Sequence, residues 1–172
     1  LGLDSLFAIS VSESLGKGIA PYPFIGSFLI APFLINKLGS DSQKQKYLPS
    51  IATGDYRFAV ALTEMTGKRI ESGIQNSNQK LSGQSLFVMD DTNSTHYLIL
   101  DSDRALHIIE AEESGLKKVE LTTVDITSFM SELILDEAQA ETLGSVSDNI
   151  EAIKQAINLG RVAIAAETLG AS

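Results

Sequence analysis

The apolar positions Leu3, Leu6, Phe7, Ile9 and Leu15 fall at a mostly helical spacing, and Gly16 and Gly18 close that segment, so a helix is predicted over about 3–15. Pro21 and Pro23 make a connection. A second helix is predicted over about 25–38; it is apolar on nearly every face, which implies burial between other helices. Pro32 should kink it or set its first straight turn, and Gly39 ends it. Ser40 with Gln43 three residues on is a capping-box pattern, so a third helix is predicted over about 41–48, broken by Pro49 and stopped by Gly54-Asp55.

At Arg57 the period changes. Short apolar runs now alternate with turn residues, and strands are predicted at Arg57–Thr63, Gly73–Gln75, Lys80–Leu81, Ser85–Met89, Tyr97–Asp101, Ala105–Glu110, Lys117–Thr122 and Glu132–Asp136. Turns fall at Asn76-Ser77-Asn78, Asp90-Asp91-Thr92-Asn93, Ser102-Asp103 and Ser114-Gly115. Strands this short and this closely spaced suggest a small antiparallel barrel or sandwich. Ser147 or Asp148 can then cap a last helix over about 148–169, striped by Ile150, Ile153, Ile157 and Ile164. The small residues Ala163, Ala165 and Ala166 permit close approach of another helix, and the partner is expected from outside the chain. The fold class is therefore α+β: a helical part over 1–55, a β-domain over 56–146, and a helix over 147–172 that opens a helical bundle.

Composition narrows the function. With 172 residues, 44% of them hydrophobic, the chain can bury a core, and its net charge of −9 argues against a nucleic-acid partner, which needs a basic patch. Cysteine is absent, which excludes disulfide and thiolate chemistry and fits a cytoplasmic location. The longest apolar run, Phe28–Ile35, is too short to span a bilayer, so no membrane insertion is expected. His96 and His107 have no spaced ligands beside them, so no metal site is expected. Gly16-Lys17-Gly18 reads as a helix stop rather than a phosphate loop, because no Ser or Thr follows the lysine.

The run Gln43-Lys44 … Tyr47-Leu48-Pro49 … Ile51-Ala52 … Gly54-Asp55 … Ala61-Leu62-Thr63-Glu64 resembles the acyl-CoA dehydrogenase family of flavoenzymes. Two further segments fit the same family in the same order. They are Leu81-Ser82-Gly83 with its apolar strand, and Gly160-Arg161-Val162-Ala163-Ile164-Ala165-Ala166 with Leu169-Gly170. The resemblance implies a three-part helix–β–helix architecture and FAD as cofactor. It also implies α,β-dehydrogenation of an acyl-CoA thioester by an oligomer. Family members are roughly twice as long, so the chain is expected to be a fragment.

In that family a glutamate takes the substrate's α-proton while flavin accepts a hydride, and hydrogen bonds steady the developing enolate. By resemblance, Thr63 and the backbone of Leu62 face the flavin, Phe87 stands at the family's aromatic, and Val88 and Met89 replace residues that reach the ring. The alternatives are a strand-end Thr63 satisfying a turn and a Phe87 in the core. Arg161 matches the family arginine beside the active site, or is a solvated helix charge. The family's glycine-rich bend after Thr-Glu is replaced by Met65-Thr66-Gly67-Lys68-Arg69-Ile70, where Lys68 and Arg69 either contact a substrate phosphate or sit in an exposed loop. Met89 offers no hydrogen-bond donor. No carboxylate inherits the role of base, since an alternative position for it is held by Gly160. These departures, with the lead-in from Ser14 to Phe24, resemble the small or partner subunits of heteromeric acyl-CoA dehydrogenases. Two functions follow as expectations: a dehydrogenase once complete, or a degenerate subunit that supports a catalytic partner. The chain alone is expected to be inactive and to hold FAD weakly.

Overall fold

The computed structural model describes residues 5–62, 73–125, 127–144 and 149–172. Helix α1 (Ser5–Lys17) is followed by a π-helical segment (Ile25–Ile30) that runs directly into α2 (Ala31–Leu38). Pro32 lies in the first turn of α2. It has no N–H to return to the preceding turn, and the widened segment just before it accommodates that loss.

Helix α3 (Asp41–Thr53) begins with the predicted capping box. Ser40 Oγ accepts from the Gln43 amide at 3.2 Å, and Gln43 Oε1 accepts from the Ser40 amide at 3.0 Å. The predicted break at Pro49 does not occur; the proline sits inside the helix, which continues until Gly54 closes it in the left-handed conformation (φ 81°). Pro49 and Gln45 are exposed, so the carbonyl that loses its partner faces solvent, while Tyr47 and Ile51 anchor the helix on either side.

The strands are β1 (Phe58–Ala61), β2 (Gly73–Ser77), β3 (Lys80–Met89), β4 (His96–Leu100), β5 (Leu106–Glu110), β6 (Leu116–Glu120), β7 (Met130–Gln139) and β8 (Glu141–Thr142). They form one sheet in the order β6-β7-β3-β1-β4-β5-β8, with β2 added on β3. The sheet is mixed rather than wholly antiparallel, because β1 lies parallel to β4, pairing Phe58 with His96 and Ala61 with Ile99. The two strands predicted at 80–81 and 85–89 are one, with register shifts against β7 between Leu81 and Gly83 and between Ser85 and Val88. The first predicted strand ran on to Thr63; Thr63 lies outside the described residues.

Central strands β1 and β4 are buried at every position, which explains their unbroken apolar sequences. Alternate residues serve two cores. Phe58, Val60, Leu98 and Leu100 pack under the helices with Leu34, Ile35 and Ile153. Ala59, Ala61, Tyr97 and Ile99 face the other way, where the sheet curls over Ile74, Leu81, Val88, Leu133 and Leu135.

The last helix, α4 (Asn149–Ala171), buries Ala152, Ile153, Ala156, Gly160, Ala163 and Ala166. Of the predicted isoleucine stripe Ile153 is buried and Ile157 packs partly against the same core, but Ile164 is exposed, and small residues make most of the inner face. Its partner is within the chain. A Cβ on Gly16 would lie 2.0 Å from the Glu167 carbonyl oxygen, and one on Gly170 would lie 2.0 Å from that of Glu13, so α1 and α4 meet backbone to backbone.

Candidate functional site

Three polar clusters tie the sheet together, and a cleft opens beside them. On the β4–β5 hairpin, His107 Nε2 lies 2.8 Å from Asp101 Oδ2, and Thr142 Oγ1 lies 3.2 Å from His107 Nδ1. Asp101 Oδ1 also accepts from the amides of Asp103 (2.9 Å) and Ala105 (2.8 Å). The Thr–His–Asp order resembles a hydrolytic triad, but His107 is 0% and Asp101 1% exposed, so no substrate reaches it. It locks the hairpin and β8. In a second cluster Asp91 accepts from the Tyr97 and Ser131 hydroxyls and pairs with Lys118 Nζ at 3.3 Å, joining the end of β3 to β4, β6 and β7. Burial and the Asp91 charge push the Tyr97 phenol up, so it remains a donor.

The third cluster docks α3 onto β8. Gln43 Nε2 donates to Glu141 Oε1 and to the Thr142 carbonyl, both at 2.8 Å, and the Tyr47 hydroxyl donates to Glu141 Oε2 at 2.6 Å. Burial, then the hydrogen bond to Glu141, raises the Tyr47 phenol to about 12. Beside it His96 stacks on Phe58 at 5.1 Å, and burial lowers its pKa and keeps the ring neutral.

The cleft opens where the π-helical segment, the end of β3, the start of β7 and α4 converge. It has a volume of about 530 Å³, and its wall includes Ile25, Met89, Asp90, Phe129, Ile164 and Glu167. Most of this lining is apolar. The polar focus is Asp90, whose Oδ2 accepts from the Gly26 amide at 2.5 Å. Burial raises the Asp90 carboxyl to about 6; the Glu167 charge adds to this, and the Gly26 and Ile25 amides oppose it. Burial, then Asp125, also raises Glu167. Nothing in the sequence reading singled out Asp90 beyond a turn signal. The available clue was an acidic pair directly after an apolar strand, opposite no basic partner nearby in sequence.

Among the described residues, the predicted cofactor and substrate candidates do not converge on one surface. Thr63, Glu64, Lys68 and Arg69 lie outside the described residues. Leu62 is buried in the core under the helices, and Val88 in the core inside the curled sheet. Phe87 is not a core residue: it is 50% exposed, with φ at 55°, at the irregularity that shifts β3 against β7. Among the described cofactor candidates, Met89 alone lines the cleft. Arg161 is exposed on α4, and its guanidinium donates to Asn158 Oδ1 at 3.2 Å. Gly160 is buried, and a Cβ there would lie 3.0 Å from Ile30 Cδ1. For the flavin that the resemblance implies, the side chains of Leu62, Phe87, Val88 and Met89 are apolar and carry no hydrogen-bond donor. These residues do not make an anchoring set. Among the described residues, no three His, Cys, Asp or Glu side chains are grouped to hold a metal ion, and no helix is long and apolar enough to cross a membrane.

Comparison with known proteins agrees with this fold. Residues 1–55 match the family model "Acyl-CoA dehydrogenase, N-terminal domain". An acyl-CoA dehydrogenase of Bacillus subtilis (strain 168) is 28% identical over 93% of this chain and 46% of its own length. Among solved structures, a steroid ACAD variant is 26% identical with a TM-score of 0.79, covering 98% of this chain and 47% of that one. A glutaryl-CoA dehydrogenase from Mycobacterium smegmatis in complex with FADH2 shares the fold at 19% identity, TM-score 0.82, over 98% of this chain and 48% of that one. The chain thus spans about half the length of the relatives it matches.

Proposed function

We propose that this chain, similar to acyl-CoA dehydrogenases along nearly all of its length, contributes to an FAD-dependent α,β-dehydrogenation of an acyl-CoA thioester. The observation that supports this reading best is the likeness to a steroid ACAD over 98% of the chain, beside which the chain's own apolar cleft lies between the sheet and helical elements. Such a cleft suits an acyl chain, because apolar walls favour it over water.

The chemistry is shared with other segments. The described candidates offer flavin no side-chain donor, and the position matched to an alternative base is Gly160, walled by Ile30. In this reading Thr63 faces the flavin, Arg69 meets a substrate phosphate, and the base and the remaining cofactor contacts come from residues other than the described ones. A partner-subunit role, in which this chain shapes the site of a second dehydrogenase chain, is favoured by one specific observation: Phe87 leaves half its surface exposed on β3 rather than packing it inward. In either case the assembly is an oligomer of dehydrogenase subunits, placed in the cytoplasm.

The test is to purify the full protein or complex that contains these residues. Thioesters of several chain lengths are then assayed with an artificial electron acceptor. Acyl-CoA-dependent reduction of the acceptor is expected; a flavin-free complex with no thioester turnover would overturn the reading. The 172-residue chain assayed alone should show no turnover.

A further inference from the structure

The π-helical segment Ile25–Ile30 enters without a cap of its own: Phe24 at its N-cap makes no side-chain hydrogen bond. Its first amides are met instead by a carboxylate from far along the chain, Asp90 at the end of β3, which accepts from Gly26. Gly26 is shaped to this contact, since a Cβ there would lie 3.0 Å from Asp90 Oδ2 and 3.1 Å from Asp90 Cβ. One residue on, Ser27 Oγ donates to the Phe58 carbonyl at 2.7 Å, so the segment is pinned to both β3 and β1. The residue before Asp90 is Met89, which lines the cleft together with Ile25. A single carboxylate thus joins two parts of its wall, and it favours the positive end of the helical segment.

We propose that Asp90 is a positioning residue for this cleft: its carboxylate holds Ile25 and Met89 at a set separation, and the shape offered to an acyl ligand depends on that bond. The ligand part rests on the acyl-CoA reading above; the bond and its effect on the walls do not. The carboxylates that face the site are Glu167, from α4, and Asp125, from the segment before β7. Glu167 acts on Asp90 as a like charge, and Asp125 acts on Glu167.

The test uses nuclear magnetic resonance of the intact chain from about pH 4.5 to about pH 8, following the Gly26 amide and the methyls of Ile25, Leu29 and Met89. As Asp90 ionises the Gly26 amide proton should move downfield with a midpoint near 6, and the three methyl sets should move with the same midpoint. Asp90→Asn should abolish both transitions. Glu167→Gln should keep them coupled and lower the midpoint. Two results would overturn the proposal: a Gly26 transition with unmoved methyls, or methyl transitions that persist in Asp90→Asn. Butyryl-CoA is the ligand probe, and its binding should weaken by about tenfold in Asp90→Asn. Equal affinity in the two proteins would overturn the ligand part. Coupled transitions with no butyryl-CoA binding at any pH would uphold Asp90 as the hinge between walls and count against the acyl-CoA reading.

Discussion

Asp101 shows how much one buried carboxylate can hold. It accepts from the His107 ring and from the Asp103 and Ala105 amides, all inside the hairpin. Truncation would leave three donors short of a partner, and each buried unsatisfied group costs about 1–3 kcal/mol. Asp101→Ala is therefore expected to destabilise the protein by about 3 kcal/mol or more, measured by urea unfolding; a loss well below one would mean that water replaces the carboxylate. Asp90 carries a different signature. Its folded-state carboxyl is raised from 3.8 to about 6, so the proton is held more tightly in the folded protein than in the unfolded chain. The stability linked to that proton is fully present below about 3.8 and is lost as pH rises through about 6. The shift corresponds to about 3 kcal/mol. Wild type should thus lose up to about 3 kcal/mol relative to Asp90→Asn between acidic and neutral pH, and parallel stability curves for the two proteins would contradict this assignment.

The elements differ in how legible they were. The capping box at Ser40 and Gln43 is local chemistry, needing only four residues, and it forms as read. The end of α3 was misread at Pro49 because a proline's cost depends on where the freed carbonyl points, and here it points to solvent. The inner face of α4 was only partly legible. The isoleucine spacing marks Ile153, which is buried, but not the run of small residues toward Ala166 that the close approach of α1 requires, and that approach is invisible without the partner. It also makes a sharp test. Gly16→Ala would drive a methyl into the Glu167 backbone, whereas Gly18→Ala meets nothing nearer than 3.6 Å. The first should cost about 3 kcal/mol and expose α1 to proteolysis, and the second less than about 1 kcal/mol. Similar costs at both positions would show that α1 does not seat on α4 as described.

For the molecule as a whole, the change from helix to sheet at Arg57 was readable because the period of apolar residues changes there, and the mixed pairing of β1 with β4 was not, because strand order is a long-range property. The site was the least legible part. Phe87 and Val88 were assigned to the flavin together by resemblance, but neighbouring residues of a strand point to opposite faces, and here Phe87 turns outward while Val88 is buried inside the curled sheet. Met89 reached the cleft, while Asp90, its most perturbed group, emerged only from packing. We propose that this chain carries the dehydrogenase fold and that its flavin site is completed by residues other than those described. Titration of the isolated chain with FAD, followed by flavin fluorescence, separates this from a self-sufficient site. A colourless protein that binds added FAD weakly is expected, since a few missing hydrogen bonds at ~1–3 kcal/mol each lower affinity about tenfold or more apiece. Stoichiometric FAD carried through purification, or submicromolar binding, would contradict it.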